Sequence, residues 1–103
     1  VNDILTKEDI LHYIIDYGRR YKVYFAMQEI IDYIIARRRL EGKKTNPSTI
    51  ARKIRNLVKQ GFLYRKKYID QSWNLPRILF YTNIDKIKAY LQAKGVYKYA
   101  RKI

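Results

Sequence analysis

Among the 103 residues, those whose types and spacing offer the most chemistry lie between 46 and 60. They are Asn46, Ser48, Thr49, Arg52, Lys53, Arg55, Asn56 and Lys59. An arginine guanidinium presents a fork of N–H donors that fits the O6 and N7 acceptors of guanine, and an asparagine amide fits N6 and N7 of adenine. Short hydroxyls beside the free N–H groups of a helix start, such as Ser48 and Thr49, suit phosphate oxygens. On a helical wheel, Ile50, Ile54, Leu57 and Val58 gather about 30° from the Ile50 direction. The opposite direction, at about 210°, holds Arg52, Asn56, Lys59, Ser48 and Thr49, with Arg55 and Lys53 at the edges. Arg52 and Asn56 are candidate readers of base edges; the others are candidate contacts to a sugar-phosphate backbone. A merely solvated helix face carries the same residue types, so the surrounding sequence has to weigh between the two.

The charge is unevenly spread. Residues 1–36 carry four basic and six acidic groups, residues 37–67 twelve and one, and residues 68–103 seven and two. Most of the net charge of +14 therefore sits in the middle third. A concentrated block predicts one face of strong positive potential, whose natural partner is a polyanion: nucleic acid first, an anionic membrane surface second. The block also holds Arg37, Arg38 and Arg39, then Lys43 and Lys44, then Arg65, Lys66 and Lys67, with Arg77 further along. The three consecutive arginines and the two lysines read as a phosphate-facing cluster. Three consecutive helical residues point in three directions, so at most one or two of those arginines face one duplex.

The elements that must position these residues follow from periodicity and punctuation. A first helix spans 6–17, opened by Thr6, carried by Ile10, Leu11, Ile14 and Ile15, and stopped at Gly18. Residues 19–25 (RRYKVYF) form a short strand or an extended link. A second helix covers about 25–40, with Met27, Ile30, Ile31, Ile34 and Ile35 at helical spacing. Asn46 and Pro47 open a third helix, 47–60, as N-cap and first helical residue; Gly61 ends it. Two strands, 63–69 and 77–82, form a hairpin (wing 63–82) across a long loop at 70–76. Asn83 caps a last helix carrying Ile84, Ile87, Tyr90 and Leu91, and Gly95 ends it. Residues 1–95 thus read as one α+β, mostly α, domain, and 96–103 as a basic C-terminal tail.

The stretch 47–63 (PSTIARKIRNLVKQGFL) resembles the helix-to-wing segment of winged helix-turn-helix DNA-binding proteins. The element order over about 6–92 is similar to theirs. The composition, rich in Ile, Lys, Tyr and Arg, resembles small regulators of hyperthermophilic archaea and their viruses. The resemblance implies a three-helix core, a two-stranded β-hairpin wing and a C-terminal helix, with helix 47–60 in the major groove of double-stranded DNA. It further implies transcription regulation, often as a homodimer, here through helix one or the last helix. The wing would lie on the backbone or in the minor groove, through Arg65, Lys66, Lys67 and Arg77. Alternation sets Lys66 on the opposite side of the strand from Arg65 and Lys67. The linker before helix three departs from the pattern, being long and basic. Two other readings stay open: a non-specific architectural or replication-associated DNA binder, and a winged-helix protein-interaction module.

Other chemistries find little footing. The chain has no cysteine and one histidine, His12, set among apolar neighbours. Neither a catalytic triad nor metal-ligand spacing is visible, so no enzyme, metal or cofactor is expected. Gly42-Lys43-Lys44-Thr45 fails as a phosphate loop, because Arg37 stands where an earlier glycine is required and a second lysine follows the first. No apolar run approaches a membrane span, and Val1-Asn2-Asp3 does not open a signal peptide. The expected setting is the cytoplasm, that of a host cell for a viral protein, with no small-molecule ligand evident. Most tyrosines read as core or interface fillers. Tyr64 and Tyr68 share a strand face, but a two-stranded wing is a poor platform for stacking single strands. Trp73, in the loop, reads as a core cap or a partner contact.

Overall fold

The computed structural model describes residues 4–97. The element order is α1 (Lys7–Arg20), β1 (Tyr24–Phe25), α2 (Met27–Leu40), α3 (Pro47–Lys59), β2 (Leu63–Asp70), β3 (Leu75–Thr82) and α4 (Ile84–Ala93). The fold is α+β and mostly helical, with one antiparallel sheet in the order β1-β3-β2.

The helix starts are built as their residues dictate. Thr6 Oγ1 accepts from the Asp9 N–H at 3.1 Å, and the Asp9 carboxylate accepts in return from the Thr6 N–H at 3.2 Å. Asn46 Oδ1 accepts from the Ser48 N–H at 2.8 Å with Pro47 in the first turn, and Asn83 Oδ1 from the Lys86 N–H at 3.3 Å. Each cap satisfies a donor that the helix itself leaves free.

The core is an isoleucine-rich seam between the helices. Ile10, Leu11 and Ile14 of α1, Ile30 and Ile34 of α2, Ile50 and Ile54 of α3, and Ile87 and Leu91 of α4 are all buried. Phe25, Leu63 and Phe80 close it from the sheet. The apolar faces of α1 and α4, read as candidate dimer surfaces, are thus occupied within the chain itself. Tyr90 packs edge-on against Phe62, and its hydroxyl donates to Glu8 Oε2 at 2.7 Å.

Several boundaries differ from expectation. Helix α1 runs through Gly18 to Arg20, because Gly18 keeps helical geometry and the Tyr21 N–H still reaches the Tyr17 carbonyl at 2.8 Å. Helix α2 starts two residues later than 25, because Tyr24 and Phe25 pair with Tyr81 and Phe80. The hairpin therefore belongs to a three-stranded sheet. The loop at 70–76 shrinks to residues 71–74, since Ile69 pairs with Pro76 and Asp70 with Leu75. Pro76 is tolerated because β1 does not reach that part of β3, which leaves an open edge where a missing N–H costs little. Asn74 makes the turn at φ 53°, a left-handed conformation to which asparagine is suited.

The outer half of the hairpin projects beyond the helices. Trp73 at its tip is 70% exposed, so it does not cap the core. Residues 98–103 of the expected basic tail and residues 1–3 lie outside the described residues. No described helix is long and apolar enough to cross a membrane.

Candidate nucleic-acid interface

Helix α3 divides as the wheel predicts. Ile50, Ile54 and Leu57 are buried; Ser48, Arg52, Arg55, Asn56 and Lys59 are exposed; Thr49 and Lys53 are half-buried at the flank. The helix carries no carboxylate. Its ends are held firmly. Gly61, at φ 84°, closes the C-terminus by letting the Phe62 N–H reach the Leu57 carbonyl and the Gly61 N–H reach that of Val58, both at 3.0 Å. The Lys86 ammonium of α4 donates to the Gln60 carbonyl, and Asn83 Nδ2 donates to that of Gly61 at 3.3 Å. A cation at that end also opposes the helix dipole.

Two grooves flank the exposed face. On one side Lys44, Asn46, Thr49, Arg52 and Lys53 line a groove that Ile4 and Leu5 complete. On the other, a cleft of about 500 Å³ separates α3 from the hairpin, with Arg55, Lys59 and Arg65 around an apolar floor of Val58, Ile78 and Phe80. Helix cations and a wing cation thus share one wall-to-wall space.

The sheet register sorts the wing cations. Arg65 pairs with Phe80 and Lys67 with Ile78, so both lie on the face that packs toward α3. Lys66 pairs with Leu79 and Arg77 with Tyr68, on the opposite face. Arg77 Nε also meets Asp70 Oδ2 at 3.2 Å. Arg65 therefore joins the α3 surface, with Lys67 further out on the same sheet face; Lys66 and Arg77 lie on the other.

The cluster expected at the end of α2 is largely a different structure. Arg38 is 1% exposed, and its Nε donates to Thr45 Oγ1. Its carbonyl accepts from the Glu41 N–H at 3.0 Å and the Lys43 N–H at 2.9 Å. Tyr13 completes the arrangement, with its hydroxyl donating to Glu41 Oε1 at 3.4 Å. Burial, then the Glu41 charge, pushes the Tyr13 hydroxyl above the ordinary tyrosine range, against the pull of Arg38. Arg38 is thus the tether of the α2–α3 linker, not a phosphate contact. A signal for this was present: Arg38 stands four residues after Ile34 and continues the buried stripe. Arg39 is exposed and Arg37 half-buried. Lys44 is exposed, and Lys43 lies 3.5 Å from Glu41.

His12 is buried, and its Nδ1 lies 2.9 Å from the Glu8 carbonyl. Among the described residues no group of three or more His, Cys, Asp or Glu could hold a metal ion. No family model matches this chain, and neither a curated protein nor a solved structure does.

Proposed function

We propose that this chain is a winged helix-turn-helix domain that binds double-stranded DNA in a sequence-specific way, as a transcription regulator. In this reading α3 enters the major groove. Arg52 and Asn56 read base edges, and Ser48, Thr49, Lys53, Arg55 and Lys59 meet the backbone together with Asn46 and Lys44. Arg65 and Lys67 follow the phosphates on the wing side.

The observation that carries the proposal is the sidedness of α3. Ile50, Ile54 and Leu57 of its apolar ladder are buried in the core, and the opposite face offers cations and short hydrogen-bonding groups without a carboxylate. That face opens beside a cleft whose far wall is the wing. A merely solvated helix does not require cations from a second element to converge on it.

The test is selection of bound duplexes from a random pool at ~0.15 M salt, where non-specific phosphate binding is already weakened. A strongly enriched motif is expected, and a palindrome with half-sites about one helical turn apart would report a homodimer. Binding without enrichment would move the reading to an architectural or replication-associated role. Absence of duplex binding would overturn it and leave RNA or a protein partner.

A further inference from the structure

The outer face of the sheet carries a second arrangement that the duplex reading does not use. Residues that pair across an antiparallel sheet lie on the same face. Tyr24 pairs with Tyr81 and Tyr81 with Tyr64, so three tyrosines cross all three strands in one row. The face opposite holds Phe25 and Phe80, which are buried, so the tyrosine row points away from the core. The Tyr24 and Tyr81 rings stack at 5.3 Å between centroids. The next row outward pairs Lys66 with Leu79, and the one after it Tyr68 with Arg77. Tyr64 is 56% and Tyr68 44% exposed.

At the Tyr24–Tyr81–Tyr64 row the platform is three-stranded, while at Tyr68 the hairpin stands on two strands. β1 adds the third strand, and the face carries four tyrosines over about 13 Å of strand length. Cations accompany the rings. Lys22 Nζ lies 4.9 Å from the Tyr24 ring centre, Lys66 stands between the two tyrosine rows, and Arg77 stands beside Tyr68. The carboxylates here are Asp70, engaged by Arg77, and Glu29, engaged by Lys22 at 3.2 Å. Tyr64 is held in place by Asn83 Nδ2, which donates to its hydroxyl at 3.0 Å.

Aromatic rings, exposed at Tyr64 and Tyr68 and half-buried at Tyr24 and Tyr81, interleaved with cations fit one polymer chemistry well: a strand whose unpaired bases stack on rings while its phosphates meet ammonium and guanidinium groups. A paired duplex hides its base faces and cannot use the rings. We infer that the tyrosine face of the sheet, through Tyr64, Tyr68 and Tyr81 with Lys66 and Arg77, binds an unpaired nucleic-acid strand at a site separate from the α3 surface. The inference stands independently of the duplex reading, since it uses the opposite face of the hairpin.

Fluorescence anisotropy with labelled dT15, rU15 and a 15-base-pair duplex, at ~0.15 M salt to suppress charge-only binding, tests it on the full chain. The double variant Tyr64→Ala/Tyr68→Ala should weaken dT15 binding on the order of 10-fold or more, with duplex binding unchanged. Tyr68 lies on the projecting part of the wing, so Tyr68→Phe and Tyr68→Leu serve as a pair that leaves the core alone. The phenylalanine variant should keep strand affinity, and the leucine variant should lose it. Equal losses for dT15 and rU15 assign the face to unpaired strands of either sugar; a loss confined to one assigns it to that strand. Arg52→Ala should leave dT15 binding unchanged, which separates failure at the sheet from failure at α3. No dT15 or rU15 binding by the wild type, or tyrosine variants indistinguishable from it, would overturn the inference.

Discussion

The end of α2 and the exposed side of α3 are both arginine-rich, and they flank the same linker, yet they do opposite things. Arg38 falls on the stripe defined by Ile30, Ile31 and Ile34 and is drawn inside, where it bonds to Thr45. Arg52, Arg55 and Lys59 fall between the buried positions of α3 and stay outside. Equal charge in the sequence thus divides into a buried tether and an exposed surface. What separates them is phase relative to the apolar ladder, not the number of cations. A buried guanidinium persists only where partners satisfy its donors, and Thr45 and Tyr13 face this one.

The comparison can be broken most forcefully at Arg38. Arg38→Ala should lower unfolding stability by about 2–4 kcal/mol, through lost packing and stranded hydrogen-bond partners. Arg39→Ala should stay within about 0.5 kcal/mol. Urea denaturation of both variants measures this, and equal losses would erase the distinction. At α3 the pattern should invert. Arg52→Ala or Asn56→Ala should cost ~1–3 kcal/mol of discrimination at one base position, with stability within about 0.5 kcal/mol of wild type. If both variants keep wild-type discrimination in competition binding, α3 is not the reading helix.

Gly61 sharpens how α3 is held. At φ 84° a side chain is strained, and a Cβ would stand 2.7 Å from the Lys86 ammonium. Gly61→Ala should cost ~1–2 kcal/mol, read as a lowered melting temperature. The wing offers a smaller contrast. Lys67→Ala should reduce the salt slope of duplex binding by about one, and Lys66→Ala should leave it unchanged. A reversed outcome would place the duplex on the outer face.

The smallest effect concerns the joint between α1 and α4. The Tyr90 hydroxyl, then a backbone N–H, holds the Glu8 carboxyl below the ordinary carboxylate range, and the same contact holds the Tyr90 hydroxyl above its own. The Glu8 contribution to stability is therefore fully present above the ordinary carboxylate pKa and is lost as pH falls through the depressed folded value. Tyr90→Phe should cost under about 1 kcal/mol at neutral pH. The gap to wild type should close on acidification, and a gap constant down to pH ~2 would exclude the contact as its source.

The helices, the N-caps of α1, α3 and α4, and the sidedness of α3 were legible in the sequence. Each is local: a period of 3.6, a side chain bonding an N–H two or three residues on, a glycine where φ turns positive. The candidate residues Arg52 and Asn56 were legible for the same reason. The length of the turn was not, because Pro76 reads as a strand breaker until the open edge beside it is seen. Nor was the place of Arg77 on the tyrosine face, which needs the register of β2 on β3; Lys66 was, since alternation along β2 sets it between Tyr64 and Tyr68.

By itself, then, the sequence determined which apolar residues each helix turns inward, where most helices begin, and that the cations crowd into one third of the chain. The tertiary structure alone decided that Tyr24 joins Tyr81 and Tyr64 in a row and that the groups meeting the buried Arg38 are Tyr13 and Thr45. It alone brought Arg65 across a cleft from Arg55 and Lys59. Those outcomes depend on groups far apart along the chain, whose meeting is set by packing of the whole core and leaves no periodicity to read.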